Sequence, residues 1–130
     1  MRPEELQIGD WVLWKNKPVQ IAQISGIKYS FGHIDVLLAH CNDDNLLESH
    51  DIKSIEPIPI THEILKENGF KKKDVFDGWV HYESFPLIDF VLHEDDEGYY
   101  IDLMDARIKY IHQLQQAMRL CGINKEITLN

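Results

Sequence analysis

What the sequence has little of narrows the field first. Its two cysteines, Cys41 and Cys121, stand 80 positions apart with no neighbouring thiol. That spacing offers neither a zinc-binding pair nor a disulfide framework, so both are expected to be reduced, small apolar residues. Basic residues are also scarce: 13 Lys and Arg stand against 22 Asp and Glu, a net charge of −9 with histidine neutral. The deficit runs along the whole chain, with 5 basic and 9 acidic residues up to position 60 and 8 and 13 after it. Nucleic-acid binding begins with Lys and Arg neutralising phosphates, so nucleic acid is not an expected partner. Anionic lipid surfaces are disfavoured for the same reason. No apolar run approaches the roughly 20 residues that span a membrane. "MRPEELQIGD" carries no apolar signal region, and a cytoplasmic protein is expected. Neither glycine-rich phosphate loop is present, and the G-x-S-x-G nucleophile elbow is missing too. No cofactor is expected.

What is present reads, in the first half, as short strands. "DWVLW" (10–14), "PVQIAQI" (18–24), "HIDVLLA" (33–39) and "DIKSIEPI" (51–58) are apolar, β-branched runs. They are separated by "KNK", "SGIKYSFG" and "CNDDN", which are rich in turn formers. Strands this short and closely spaced predict an SH3-like small β-barrel over residues 1–58. In "DWVLW" alternation puts Trp11 and Leu13 on one face and Val12 and Trp14 on the other. Both faces are apolar, so this strand is expected to be central or covered on both sides.

The second half, residues 59–130, predicts a short helix, an antiparallel β-meander and a C-terminal helix, which makes the whole chain α+β. In "IEPIPITHEILKENGF" (55–70), Pro57 and Pro59 end strand pairing. Thr61 then caps a helix of about two turns, with Asn68 as its C-cap and Gly69 in the left-handed position beyond. "WVHYE" (79–83), "PLIDFVLH" (86–93) and "GYYIDLM" (98–104) form the meander, entered through an Asp77-Gly78 turn. The predicted register sets Leu92 against Tyr99, Phe90 against Ile101 and Ile88 against Leu103, with Asp89 facing Asp102 on the other side. For the last helix, a projection at 100° per residue gathers Tyr110, Ile111, Leu114, Ala117, Met118 and Cys121 on one side. It sets His112, Gln115, Gln116 and Arg119 opposite, and Gly122 stops the helix.

Chemistry-bearing residues gather in a few places. Asp89 and Asp102, facing each other, would share a proton as an acid/base pair, with His81 on the adjacent strand. The plainer reading is a solvated sheet face neutralised by Arg107 or Lys109. His40, Cys41 and His50 in "HCNDDNLLESHD" are zinc-type donors without a ligand spacing, and the plainer reading of the stretch is a polar connecting loop. "HEILK" lacks the second histidine of a zinc-protease helix, and "KKKD" (71–74) reads as a solvated turn. Trp11, Trp14, Tyr29 and Phe31 would supply base-stacking surfaces if the barrel bound nucleic acid. His112, Gln116 and Arg119 are the candidate interaction residues on the outer side of the last helix.

The stretches "RPEELQIGDWVL" (2–13), "IEPIPITHEILKENGF" (55–70), "HYESFPLIDFVL" (81–92) and "IKYIHQLQQAMRLCGINKEITL" (108–129) span nearly the whole chain. In them the sequence resembles a family of small uncharacterised proteins from Bacteroidetes genomes and their prophages, marked by IEPIP-T-x-x-IL-x-x-NGF and HQLQ. That family's last helix runs into a small-residue–Gly–Glu-Leu ending, where this chain has "CGINKEITL". The resemblance implies a phage or mobile-element setting and supplies no catalytic residues. Together these readings predict a non-enzymatic accessory or protein-interaction module with a protein partner or a second copy of itself. A nucleic-acid-associated module and a small hydrolase or metal enzyme are the alternatives.

Overall fold

The computed structural model describes residues 5–25, 35–40, 43–76, 79–84, 87–123 and 125–129. Tyr29, Phe31, Cys41 and the Asp77-Gly78 turn lie outside the described residues. The fold is α+β, with two five-stranded antiparallel sheets and two short helices among the described residues. The chain forms two compact units, Met1–Ile58 with Leu129–Asn130, and Pro59–Thr128.

The first unit contains β1 (Trp11–Trp14), β2 (Lys17–Ser25), β3 (Asp35–His40), β4 (Asp43–Asp51) and β5 (Ile55–Pro57). Their order in the sheet is β4-β3-β2-β1-β5. β1 therefore lies between two strands, and Trp11 and Val12 on its opposite faces are both buried, as its two apolar faces require. The β1–β2 hairpin turns at Lys15 and Asn16, both at positive φ, which is the backbone twist that a two-residue turn needs between right-twisted strands. Val12 stands across from Val19 and joins Leu6, Ile21, Ile52 and Ile55 in one apolar cluster. No closed barrel is formed by the described residues; the sheet is an antiparallel one in which β5 returns to β1.

Two expectations fail here for physical reasons. The supposed polar loop at 40–51 is largely β4, a nine-residue strand. Its ladder with β3 overrides the turn-forming tendency of Asp43, Asp44 and Asn45. Residues 51–58 are not one strand, because a 3-10 turn over Ile52–Ser54 interrupts them. There the Asp51 carboxylate accepts from the Lys53 amide at 2.8 Å and the Ser54 hydroxyl donates to the Asp51 carbonyl at 2.6 Å. Such local side-chain bonds compete directly with strand pairing.

The second unit opens with α1 (His62–Glu67). Thr61 caps it, accepting from the Ile64 amide at 3.2 Å, and the Gly69 amide donates to the Lys66 carbonyl at 3.2 Å with Gly69 at φ +87. Then come β6 (Phe70–Phe76), β7 (Trp79–Ser84), β8 (Leu87–Asp95), β9 (Gly98–Ile101), β10 (Ala106–Ile108) and α2 (Ile111–Leu120). The sheet order is β10-β9-β8-β7-β6. "KKKD" is therefore strand rather than turn: Lys71, Lys72 and Lys73 lie exposed on edge strand β6. Charged side chains on an edge deter pairing with another chain.

The β8–β9 register is two residues from the expected one. Leu92 faces Ile101, Glu94 faces Tyr99 and Asp95 faces Gly98, around a two-residue turn at Asp96-Glu97. A shift of two keeps every side chain on its face. Phe90, Leu92, Tyr99 and Ile101 are accordingly all buried. Leu103, expected beside them, is 58% exposed because the chain leaves β9 for a 3-10 turn at Asp102–Met104.

α2 ends as expected: Gly122 at φ +74 donates to the Arg119 carbonyl, and the Ile123 amide donates to the Met118 carbonyl at 2.9 Å. No helix among the described residues is long and apolar enough to cross a membrane.

Gly69 and Gly122 separate backbone from steric cost. A Cβ at Gly122 meets nothing within 4 Å, whereas one at Gly69 lies 2.5 Å from Lys125 Nζ. Gly122→Ala should cost about 1 kcal/mol for the left-handed backbone alone, and Gly69→Ala more. Thermal denaturation of the two variants checks the order.

Candidate functional site

Alternation divides the sheet of the second unit into two chemically different faces. On one face β8 presents Leu92 and Glu94, β9 Tyr99 and Ile101, and β7 Val80 and Tyr82, as their ladder pairs show. A carboxylate thus arrives on the face that buries its neighbours. A phenol meets it. The Tyr82 hydroxyl donates to Glu94 Oε2 at 3.3 Å, and the Tyr99 ring packs against that of Tyr82, centroids 6.2 Å apart. His62 Nδ1 lies 3.1 Å from the Tyr82 oxygen. With the Tyr82 proton directed at Glu94, the His62 bond is completed by the Nδ1–H form of the ring. The chain of contacts therefore runs from His62 on α1 to Tyr99 on β9.

The electrostatics keep both phenols protonated. Burial, followed by the charge and hydrogen bond of Glu94, pushes the Tyr82 hydroxyl up to about 12. Burial raises Tyr99 further, again helped by Glu94. Both phenols are therefore neutral hydrogen-bond donors near neutral pH.

The opposite face is polar and cross-tied. Asp95 accepts a two-pronged bond from Arg107, at 2.9 and 2.7 Å, and its Oδ1 also accepts from the Glu97 amide at 2.8 Å. The guanidinium and then the Glu97 amide hold the Asp95 carboxyl below its usual range. Arg107 Nε is 3.7 Å from Glu97, and its guanidinium lies 6.0 Å from the Tyr100 ring centre. The Tyr100 hydroxyl donates to Asp105, which raises the phenol. His93 Nε2 is 2.7 Å from Asp102 Oδ2.

Where the hairpin tip meets β10 and the first turn of α2, an open depression of about 680 Å³ forms. Ile60 and Tyr99 give it apolar surface, while Asp96, Glu97, Lys109 and Gln113 supply charge and polarity. Its far side is held by backbone: the Ile60 amide donates to the Lys109 carbonyl at 2.9 Å, and Gln113 Oε1 accepts from the Lys109 amide at 2.8 Å. Tyr99 belongs both to the depression and to the Glu94 cluster.

The sequence-predicted residues fare unevenly. Asp102 does not face Asp89 across a ladder; it lies beyond β9, and its carboxylate meets His93 instead. The side chains of Asp89 and His81 lie outside the described part of the structure, although the His81 backbone does stand opposite His93. His40 stands opposite Asp43 and His50 opposite Val36 in the β3–β4 ladder, and the side chain of His40 lies outside the described part of the structure.

The last helix needs a correction. His112 is 3% exposed and its Nδ1 is shielded from solvent, so it is not a surface residue. Its ring stacks on that of Tyr110, with centroids 5.9 Å apart. Gln115 is equally buried, while Gln116 and Arg119 are half-buried. A helical projection shows which residues share a face but not how many faces are covered.

In the first unit Trp11 is buried and offers no stacking surface, and Trp14 sits against His50, ring centres 4.2 Å apart, with Lys15 Nζ over it. Sequence reasoning missed the Tyr82, Glu94 and Tyr99 cluster. Its signal was a glutamate at an even, core-phase position of β8, between strands that carry tyrosine in the same phase.

The phenol cluster has a titration signature. Tyr82 titrates near 10 when unfolded and near 12 when folded. Its contribution to stability is whole below about pH 10 and is lost as pH climbs through about 12. Urea denaturation across that window should show a steeper loss for the wild type than for Tyr82→Phe. Comparison with known proteins found no matching family model, curated protein or solved structure.

Proposed function

We propose that the chain is a non-enzymatic protein-interaction module whose contact surface lies on the second unit, at the tip of the β8–β9 hairpin and the depression beside it. One observation carries the reading: an open depression bordered by exposed charge, with its tip braced by the two-pronged bond between Asp95 and Arg107. An open, charged concavity suits a protein segment better than a small molecule, which needs most of its surface enclosed. The adjoining phenols are neutral hydrogen-bond donors near neutral pH.

The partner in this reading presents a basic surface. Asp96 and Glu97 form the exposed tip, and the chain as a whole carries −9. Opposite charge speeds encounter and suppresses wrong partners. The strand order of the first unit, with β5 returned to β1, supports an SH3-like curl of its sheet. The isolated cysteines support a cytoplasmic setting. The family resemblance of the sequence supports a phage or mobile-element role.

Charge reversal tests the surface. Asp96→Lys with Glu97→Lys should release the basic proteins that the immobilised wild type retains from host extract. The same proteins should elute from the wild type between about 50 and 200 mM salt. Identical retained sets for wild type and variant, by mass spectrometry, would refute the surface.

A further inference from the structure

We propose that residues 125–128 are a strap held in a backbone-reading peptide site, and that this site accepts the same strap from a second copy of the chain. The site lies where α1 ends and β6 begins. Asn68, 5% exposed, uses one amide to satisfy both backbone groups of one strap residue. Its Oδ1 accepts from the Thr128 amide at 2.8 Å, and its Nδ2 donates to the Thr128 carbonyl at 3.1 Å. The same Nδ2 donates to the Ile64 carbonyl at 2.9 Å, which fixes the amide on the helix end. Such a contact reads main chain, whatever side chain stands there.

Two further contacts set what else the strap must carry. Ile127 is 2% exposed and serves as the apolar anchor. Lys125 lays its ammonium 5.6 Å from the centre of the Phe70 ring, across a gap that only glycine leaves at position 69. Burial pulls the Lys125 ammonium below its usual pKa. The site thus takes an extended segment with a cation two residues before an aliphatic side chain.

The clamp and the strap are separate in sequence, 60 residues apart, and joined locally through Gly122. That residue is exposed at φ +74, with open space around its α-carbon. Because a second copy offers the identical strap, exchange remakes the same bonds between chains and loses only association entropy. The strap in cis competes at an effective concentration of about 1 mM, so exchange grows as protein concentration rises or as the cis strap is disabled. None of these residues belongs to the charged hairpin tip, so either proposal fails without the other.

Two full-length variants, each disabled on one side, test the exchange. Asn68→Ala removes the clamp, and Thr128→Pro removes the strap amide at an exposed residue. Neither closes the clip alone, but a mixture pairs the intact strap of one chain with the intact clamp of the other. At about 0.5 mM the mixture should sediment with a 1:1 heterodimer that neither variant forms alone. A mixture that stays monomeric overturns the proposal. Should Asn68→Ala lose its native circular dichroism, a labelled peptide of residues 123–130 takes its place. Thr128→Pro should then bind that peptide at least about tenfold more tightly than wild type, whose own strap fills the site. Equal binding by the two chains, or none, overturns the proposal.

Discussion

Alternation along β8 sends Glu94 to the same side as Phe90 and Leu92, so a carboxylate arrives on the face that the strand must bury. A charge there is tolerated only with hydrogen bonds to satisfy it. Tyr82 supplies one from β7, and Tyr99 on β9 packs its ring beside that of Tyr82. Both tyrosines are buried, and the Tyr82 hydroxyl turns toward Glu94. The contact ties β7 to β8 on that face. It extends through Tyr82 to His62, tying α1 to the sheet.

The same alternation places Asp95, one residue on, upon the opposite face. There it meets Arg107 from β10, the edge strand. Glu94 and Asp95 thus divide the labour of the hairpin. One ties β7 to β8 on the face that carries Leu92, and the other braces the tip and its edge strand from the opposite face. The depression is lined by Tyr99 from one face's cluster and Arg107 from the other's, and its charges Asp96 and Glu97 are carried on the β8–β9 turn. Exposed ion pairs contribute little stability singly, so the value of the Asp95 and Arg107 fork lies in geometry.

The parts of the structure legible in the sequence are those set by local chemistry. Thr61, Asn68 and Gly69 bound α1 because capping and left-handed geometry act within a few residues. Gly122 stops α2 for the same reason, and the two apolar faces of β1 reveal a strand that is covered on both sides. The failures come where distant pairing decides. β4 reads as a loop until β3 lies beside it. The β8–β9 register slips by two because parity is written in the pattern, while absolute offset is set by the turn at Asp96-Glu97. His112 looks solvent-facing because projection counts one covered face. The Glu94 cluster was overlooked because a single glutamate in core phase looks like a pattern error, and only the tyrosines across two ladders explain it.

A double-mutant cycle between Tyr82→Phe and Glu94→Gln, read as unfolding free energy at neutral pH, tests this account most directly. If Glu94 is the acceptor that organises the buried face, the two changes couple by about 1 kcal/mol or more. Additive losses, with no coupling beyond error, would contradict it.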